Sequence, residues 1–313
     1  MIGVWIRRGL LVLVLGSGLL ALIWLRMDAR LTPPGEMIEV EPGRRLHVVC
    51  RGTAIETAPS VLYDAGAFGI YADAWRIMEA VGEFAHICAY DRAGLGFSDP
   101  VDAAPSPTFH AADMERLLDR LGASGPIVLV GHSMAGLRLH AFAATRGERL
   151  AGLVFLDAAS AAFADTERGR RLLRVFRSAT QFGGLLARIG ALRLAAPVLP
   201  DPLGLQGVHR AAKLRALGRV GHHKTALREL KAVEFDDPTL RDTAWADRIA
   251  FHAVVAGGGG GYYRALAEGR PQSDFAIAPG ADHVSLLAPP HNQGIIAAIR
   301  RLRANPSTAD KSS

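Results

Sequence analysis

The sequence predicts an α/β fold: a mostly parallel, eight-stranded sheet with helices on both faces, interrupted by a helical insertion and preceded by a transmembrane helix. Three observations predict it. Short apolar runs rich in β-branched residues alternate with helical runs between residues 36 and 157 and again between 248 and 304, the rhythm of a sheet covered on both sides. Residues 158–243 break that rhythm and contain no strand-like run. One serine, Ser133, stands at a sharp turn from strand to helix. The chain divides accordingly into an N-terminal segment 1–31, a first core part 32–157, an insertion 158–243, a second core part 244–304 and a polar tail 305–313 expected to be disordered.

In the N-terminal segment, Arg7 and Arg8 precede Gly9 to Leu25, an uncharged run whose single polar residue is Ser17, and Arg26 and Arg30 follow. As a helix this run spans about 26 Å, near the lower limit for crossing a bilayer. Trp5 and Trp24 near its ends suit the membrane–water interface. The expectation is a retained single-pass membrane anchor, with the main domain outside the cytoplasm because Arg7 and Arg8 favour an inside N-terminus. The alternatives are a cleaved signal, leaving a secreted or periplasmic protein, and a buried helix. Met27-Asp28-Ala29 lacks the small first residue of a cleavage site.

The core elements follow in order. Glu36–Glu41 and Arg45–Arg51 read as strands around the turn signal Pro42-Gly43. Ser60–Asp64 is a strand that breaks at the glycine-rich Ala65-Gly66-Ala67-Phe68-Gly69. A helix over Ala72–Val81, a strand over Ala85–Tyr90 and an amphipathic helix over Thr108–Leu121 come next. Pro126–Val130 is a buried strand, and Met134–Arg146, Ala- and Leu-rich, is a helix stopped by Gly147. Leu150–Leu156 is a strand with Asp157 at its carboxyl end. After the insertion, the strands Arg248–Val255 and Asp274–Ala278 flank a short helix over Tyr262–Glu268, and Asn292–Ala304 closes the fold.

Composition narrows the function. The net charge is +6, and between Ser160 and Lys231 there are 14 Lys/Arg against 4 Asp/Glu, a pattern expected of a solvated basic face or, in a protein tethered to a membrane, of one lying against anionic lipid. No nucleic-acid motif accompanies it, so no nucleic-acid partner is expected. Cys50 and Cys88 read as buried small residues on strands that can be neighbours, which leaves a bridge open. The five glycines Gly257–Gly261 form a loop with no phosphate-binding spacing, and no histidine pair has metal-ligand spacing. No cofactor and no metal are expected.

The chemistry centres on Gly131-His132-Ser133-Met134-Ala135. A serine on a strained strand-to-helix turn, with small residues two before and two after, presents its hydroxyl at a helix N-terminus as a nucleophile. Ala135 stands where glycine is usual, a mild departure. A serine nucleophile needs a base, an acid to orient that base, and an oxyanion hole. His283, just past the last strand, is the candidate base; His132, beside the serine, reads as wall or packing. The Met134 amide and, from the glycine-rich loop, the Ala67 amide are the candidate hole. The acid is Asp157, or else Glu268 or Asp274, because the glycine run after Val255 holds no carboxylate.

Together these residues resemble the α/β-hydrolase superfamily, the single-domain group with a helical cap. The resemblance rests on Tyr63-Asp-Ala-Gly66, Tyr90-Asp-Arg-Ala-Gly-Leu-Gly-Phe-Ser98, the Ser133 turn, Leu153-Val-Phe-Leu-Asp157 and Gly280-Ala-Asp-His283, which cover residues 36 to 304 in family order. Some members of the family, dehalogenase relatives among them, carry the acid at the strand-end position matching Asp157. Asp91 and Arg92 match a structural turn. Epoxide hydrolases and haloalkane dehalogenases of this fold use aspartate where Ser133 stands. Serine at that position therefore implies a serine hydrolase of carboxylesterase type, which the N-terminal run makes a membrane-anchored one; the apolar Phe68, Met134 and Leu286 expected near the pocket favour a small-molecule ester with an apolar acyl or aryl group. A membrane-associated acyltransferase, a cofactor-free perhydrolase and a non-catalytic binding protein on the same fold are the alternatives.

Overall fold

The computed structural model describes residues 30–52, 61–102, 105–195 and 198–305, together with Trp5, Arg8, Gly16, Ile23, Trp24, Arg26 and Asp28. Eight strands form one sheet: β1 (Glu36–Glu41), β2 (Arg44–Arg51), β3 (Val61–Asp64), β4 (Ile87–Tyr90), β5 (Ile127–His132), β6 (Leu150–Leu156), β7 (Phe251–Ala256) and β8 (Asp274–Ala278). Their spatial order is β1-β2-β4-β3-β5-β6-β7-β8. The β1–β2 and β2–β4 pairs are antiparallel, and every pair from β4 to β8 is parallel.

Side chains alternate across the central strands, so each strand feeds two cores. On β5, Val128 and Val130 join the core beneath α1 (Trp75–Val81), where Ile77, Met78 and Val81 are buried. Ile127 and Leu129 face the opposite core, built with Met114 and Leu117 of α2 (Pro107–Arg120) and Leu139 and Phe142 of α3 (Ala135–Arg146). This double burial explains why the strands read as continuous apolar runs. α2 starts where its chemistry dictates: Pro107 occupies the first helical turn and the Ser106 hydroxyl accepts from the Phe109 N–H at 3.1 Å.

The insertion contains α4 (Ala161–Ala164), α5 (Glu167–Arg188), α6 (Ala191–Ala195), α7 (Gly207–Leu217), α8 (Val220–Lys231) and α9 (Pro238–Arg241). α10 (Gly261–Ala267) follows β7, and α11 (Gln293–Ala304) returns to the first core through Ile295, Ile299 and Leu302.

Three expectations change. Among the described residues no helix is long and apolar enough to cross a membrane. That overturns the single-pass placement and leaves a membrane partner through an N-terminal helix unsupported; most of Gly9–Leu25 lies outside the described residues. The tail beyond Asn305 also lies outside them. Cys50 and Cys88 are not separate buried residues but a disulfide: they face each other directly in the antiparallel β2–β4 pair, with Cα atoms 4.0 Å apart. Finally, β5 runs two residues past Val130, to His132, which carries the chain to the end of the sheet where the site lies.

Candidate active site

The site lies at the carboxyl ends of β3, β5 and β6, where ligands of open α/β sheets gather. β5 delivers Ser133 into a turn with φ 55°, a left-handed conformation costly for any residue but glycine. The turn is pinned from below: the Ser133 N–H donates to Leu156 O at 3.0 Å, and Ser133 O accepts from Ala159 N at 2.8 Å and Gly136 N at 3.0 Å. The small flanks have measurable reasons. A Cβ on Gly131 would lie 3.0 Å from the Ala135 methyl and 2.8 Å from Leu139, so alanine fits at one flank only because glycine holds the other.

Three side chains from distant segments meet here. The Ser133 Oγ–H donates to His283 Nε2 at 3.0 Å. His283 Nδ1–H donates to Asp157 Oδ2 at 2.5 Å, the tautomer that an acceptor-only carboxylate requires. Asp157 ends β6 with φ 41° while its N–H stays tied to Val254 O at 2.9 Å. The backbone is thus bent to aim the carboxylate. Among the described residues, Phe68, Ser133 and Asp157 are the non-glycine residues with positive φ, and all three stand around this site.

The competing acids lie elsewhere. Asp274 opens β8, whereas His283 follows that strand's other end, about 13 Å away for five extended residues. Asp274 pairs instead with Arg301 at 2.9 Å. Glu268 caps the far end of α10, remote from the strand end that α10 follows. The glycine run passes beside Asp157: a Cβ on Gly259 would come 3.7 Å from its Oδ1.

His132 is more than packing. Its Nε2–H donates to the backbone oxygen of His283 at 2.8 Å, and the two rings lie 4.6 Å apart. Burial, and then the nearby His283, lower its pKa to about 3, so its ring stays neutral. The loop after β3 packs against the serine, since a Cβ on Gly66 would sit 3.0 Å from Ser133 Cβ. Met134 sits at the N-terminus of α3, one residue past the serine.

A cleft of about 400 Å³ opens over Ser133 and His283. Its wall is largely the insertion: Phe176, Leu199, Leu203, Leu205, Leu214 and Leu217. Of the three apolar residues expected there, Leu286 is fully buried while Leu287 lines the cleft, and the Phe68 and Met134 side chains, though their backbones border the site, pack against the Leu173 and Leu230 cluster. Polar groups enter as pairs, Lys213 with Asp73 at 2.6 Å and Arg210 with Asp201 at 2.9 Å. The basic insertion is therefore not merely a solvated face, for it also buries Glu229, His222 and His223. Only a buried polar residue on the apolar side of a helix betrays this in a sequence, and the surrounding arginines hide it. Among the described residues one group has metal-ligand spacing, Cys50, His86 and Cys88, and its two sulfurs are bonded to each other.

The sequence pattern of the alpha/beta hydrolase family matches residues 61–293. The chain belongs to that family. A thermophilic esterase from Thermogutta terrifontis, solved with malate bound, shares 23% identity at a TM-score of 0.64, covering 86% of this chain and 98% of its own. The Cif epoxide hydrolase from Acinetobacter nosocomialis shares 14% identity at a TM-score of 0.70, covering 91% and 96%. Both likenesses are of fold. In sequence, a probable transporter from Hormonema carpetanum is 35% identical over 106 residues, 33% of this chain and 15% of its own length. The chain spans less than a third of the length of the curated relatives it matches.

Proposed function

We propose that this alpha/beta hydrolase is a serine esterase, cleaving the ester of a carboxylic acid through an acyl-enzyme. One observation carries the reading: the unbroken hydrogen-bonded series from Ser133 Oγ to His283 Nε2, and from His283 Nδ1 to Asp157 Oδ2. Ser133 Oγ attacks the ester carbonyl carbon while His283 Nε2 takes its proton. The oxygen that becomes negative accepts hydrogen bonds from the Ala67 amide of the loop after β3 and the Met134 amide at the N-terminus of α3. The imidazolium, held by Asp157, protonates the departing alkoxide, and the alcohol leaves. Water then attacks the acyl-enzyme, His283 taking its proton and returning it to Ser133 as the carboxylic acid departs.

Serine at the turn favours this reading over epoxide opening, because the alkyl ether that serine would form has no carbonyl for water to attack. The apolar cleft wall favours an aryl ester or an aliphatic acyl group. The test is labelling by a fluorophosphonate probe together with p-nitrophenyl ester hydrolysis. Both should be present in the wild type and lost in Ser133→Ala. Labelling that persists in that variant would refute the nucleophile, and a folded wild type with neither signal would mark a binding protein.

A further inference from the structure

The Ala65–Gly69 loop offers one amide of the proposed hole, and its peptides are gripped from behind. Arg92, 1% exposed, donates from Nη1 to Ala65 O at 2.6 Å and from Nη2 to Gly66 O at 2.9 Å. A trans peptide is planar, with its C=O and N–H directed oppositely. Drawing Gly66 O toward Arg92 therefore turns the Ala67 N–H the other way, and Ala67 borders the cleft that holds Ser133.

Arg92 is itself fixed from the insertion. Glu229 on α8 accepts from Arg92 Nε at 2.8 Å and Nη2 at 2.9 Å. Burial alone would raise this carboxyl's pKa, but Arg92 and His110 beside it hold it below the usual range, so it stays charged. The other carboxylate on Arg92, Asp64 at 3.2 Å, is shared with Arg138 Nε at 2.5 Å. The same helix reaches the loop a second time. His222 Nε2–H donates to Phe68 O at 3.1 Å, and its Nδ1 accepts from the Gly96 N–H at 3.4 Å, which fixes the tautomer. Phe68 holds φ 59°, a conformation that persists only when its surroundings demand it.

We infer that α8 of the insertion sets the oxyanion hole: Glu229 through Arg92, and His222 through Phe68, are positioning residues that aim the Ala67 N–H at the reacting oxygen. The inference rests on the serine-esterase reading. Neither side chain reacts with the ester. Without the Glu229 charge, Arg92 turns toward Asp64 and releases Gly66 O, and the hole loses one aligned donor. Insertion and hole then form together, and a displaced insertion leaves the nucleophile intact but its oxyanion unsupported.

The test uses Glu229→Gln, which keeps size and removes charge, and the pair His222→Gln and His222→Leu, of which only the first keeps a donor for Phe68 O. Active sites are counted by fluorophosphonate titration, so that rates are per folded site. Glu229→Gln should lower kcat by about 10- to 100-fold, somewhat less than outright loss of a hole donor, with KM within about twofold. Affinity for a trifluoromethyl ketone, whose hemiketal oxyanion occupies the hole, should fall with kcat. His222→Leu should show the same split and His222→Gln should restore it. Wild-type kcat and ketone affinity in Glu229→Gln overturn the inference; should that variant not fold, equal and wild-type-like His222 variants overturn it. Absence of Ser133-dependent labelling in the wild type is the separate failure of the esterase reading.

Discussion

Replacing Asp157 by asparagine isolates the proposed acid. The carboxylate accepts the Nδ1 proton of His283 at 2.5 Å, and its side chain is 20% exposed. In the proposed reaction His283 takes the serine proton and becomes a cation whose charge centre lies about 4 Å from that carboxylate. At the effective dielectric of a partly buried site this attraction is about 4 kcal/mol, roughly a thousandfold in rate. Asparagine removes it and can also present its N–H₂ to Nδ1, forcing the proton onto Nε2 where no base remains. The combined expectation is a fall in kcat of about 10³ to 10⁴ near pH 7, with KM little changed because Asp157 faces the imidazole and not the ester. The assay is p-nitrophenyl ester turnover in parallel with Glu268→Gln and Asp274→Asn, which should stay within about twofold of wild type. A folded Asp157→Asn that keeps more than a tenth of wild-type kcat would exclude Asp157 as the acid.

Other consequences are equally checkable. Buried His132, His222 and His140 have pKa values lowered to about 3, 3 and 4, burial being the main cause. Below about pH 6.5 the unfolded chain takes up protons that the folded protein refuses, so stability falls, by about 2 kcal/mol per histidine at pH 5; urea melts at pH 7 and pH 5 measure this, and equal stabilities would contradict it. Glu229 acts in the same direction at lower pH: its lowered carboxyl contributes stability that is present above its ordinary 4.5 and lost as pH falls through its folded value. Cys50→Ser should cost about 4 kcal/mol by loop entropy across a separation of 38 residues, read as a lowered urea midpoint; reduction of the wild type should match it. Gly136→Ala would drive a Cβ to within 2.2 Å of Ala159 O, just past Asp157; it should lower both Tm and kcat, and unchanged values in both would show that this loop yields freely.

The parallel strands were readable because both their faces are buried, which leaves unbroken apolar runs such as Leu150–Leu156. The Ser133 turn was readable because strained backbone restricts its neighbours to small residues. Asp157 was harder. Its reach to His283 comes from β6 and β7 being neighbours and from a φ of 41°, neither of which leaves a mark on residue type. The Cys50–Cys88 bridge depends on strand register, which Pro42-Gly43 alone does not set. Glu229 and His222 were invisible as site residues because their partners, Arg92 and Phe68, lie more than 120 positions away. The N-terminal run shows the opposite hazard: hydropathy over Gly9–Leu25 suggested a bilayer span that the described residues do not support.

His132 ties these levels together. Being next to Ser133 on the strand end, it moves with the proposed nucleophile, and its bond to His283 O ties the proposed base's loop to the same strand. A second imidazole 4.6 Å from the base would be a hazard if it were charged, because its repulsion would oppose formation of the His283 cation on which the proposed proton transfer depends. Burial removes the hazard by keeping His132 neutral across the pH range in which an imidazole base works. The Nε2 proton it retains is the one it donates to His283 O. The desolvation that costs stability in acid is therefore the same desolvation that lets a histidine brace the base without competing with it.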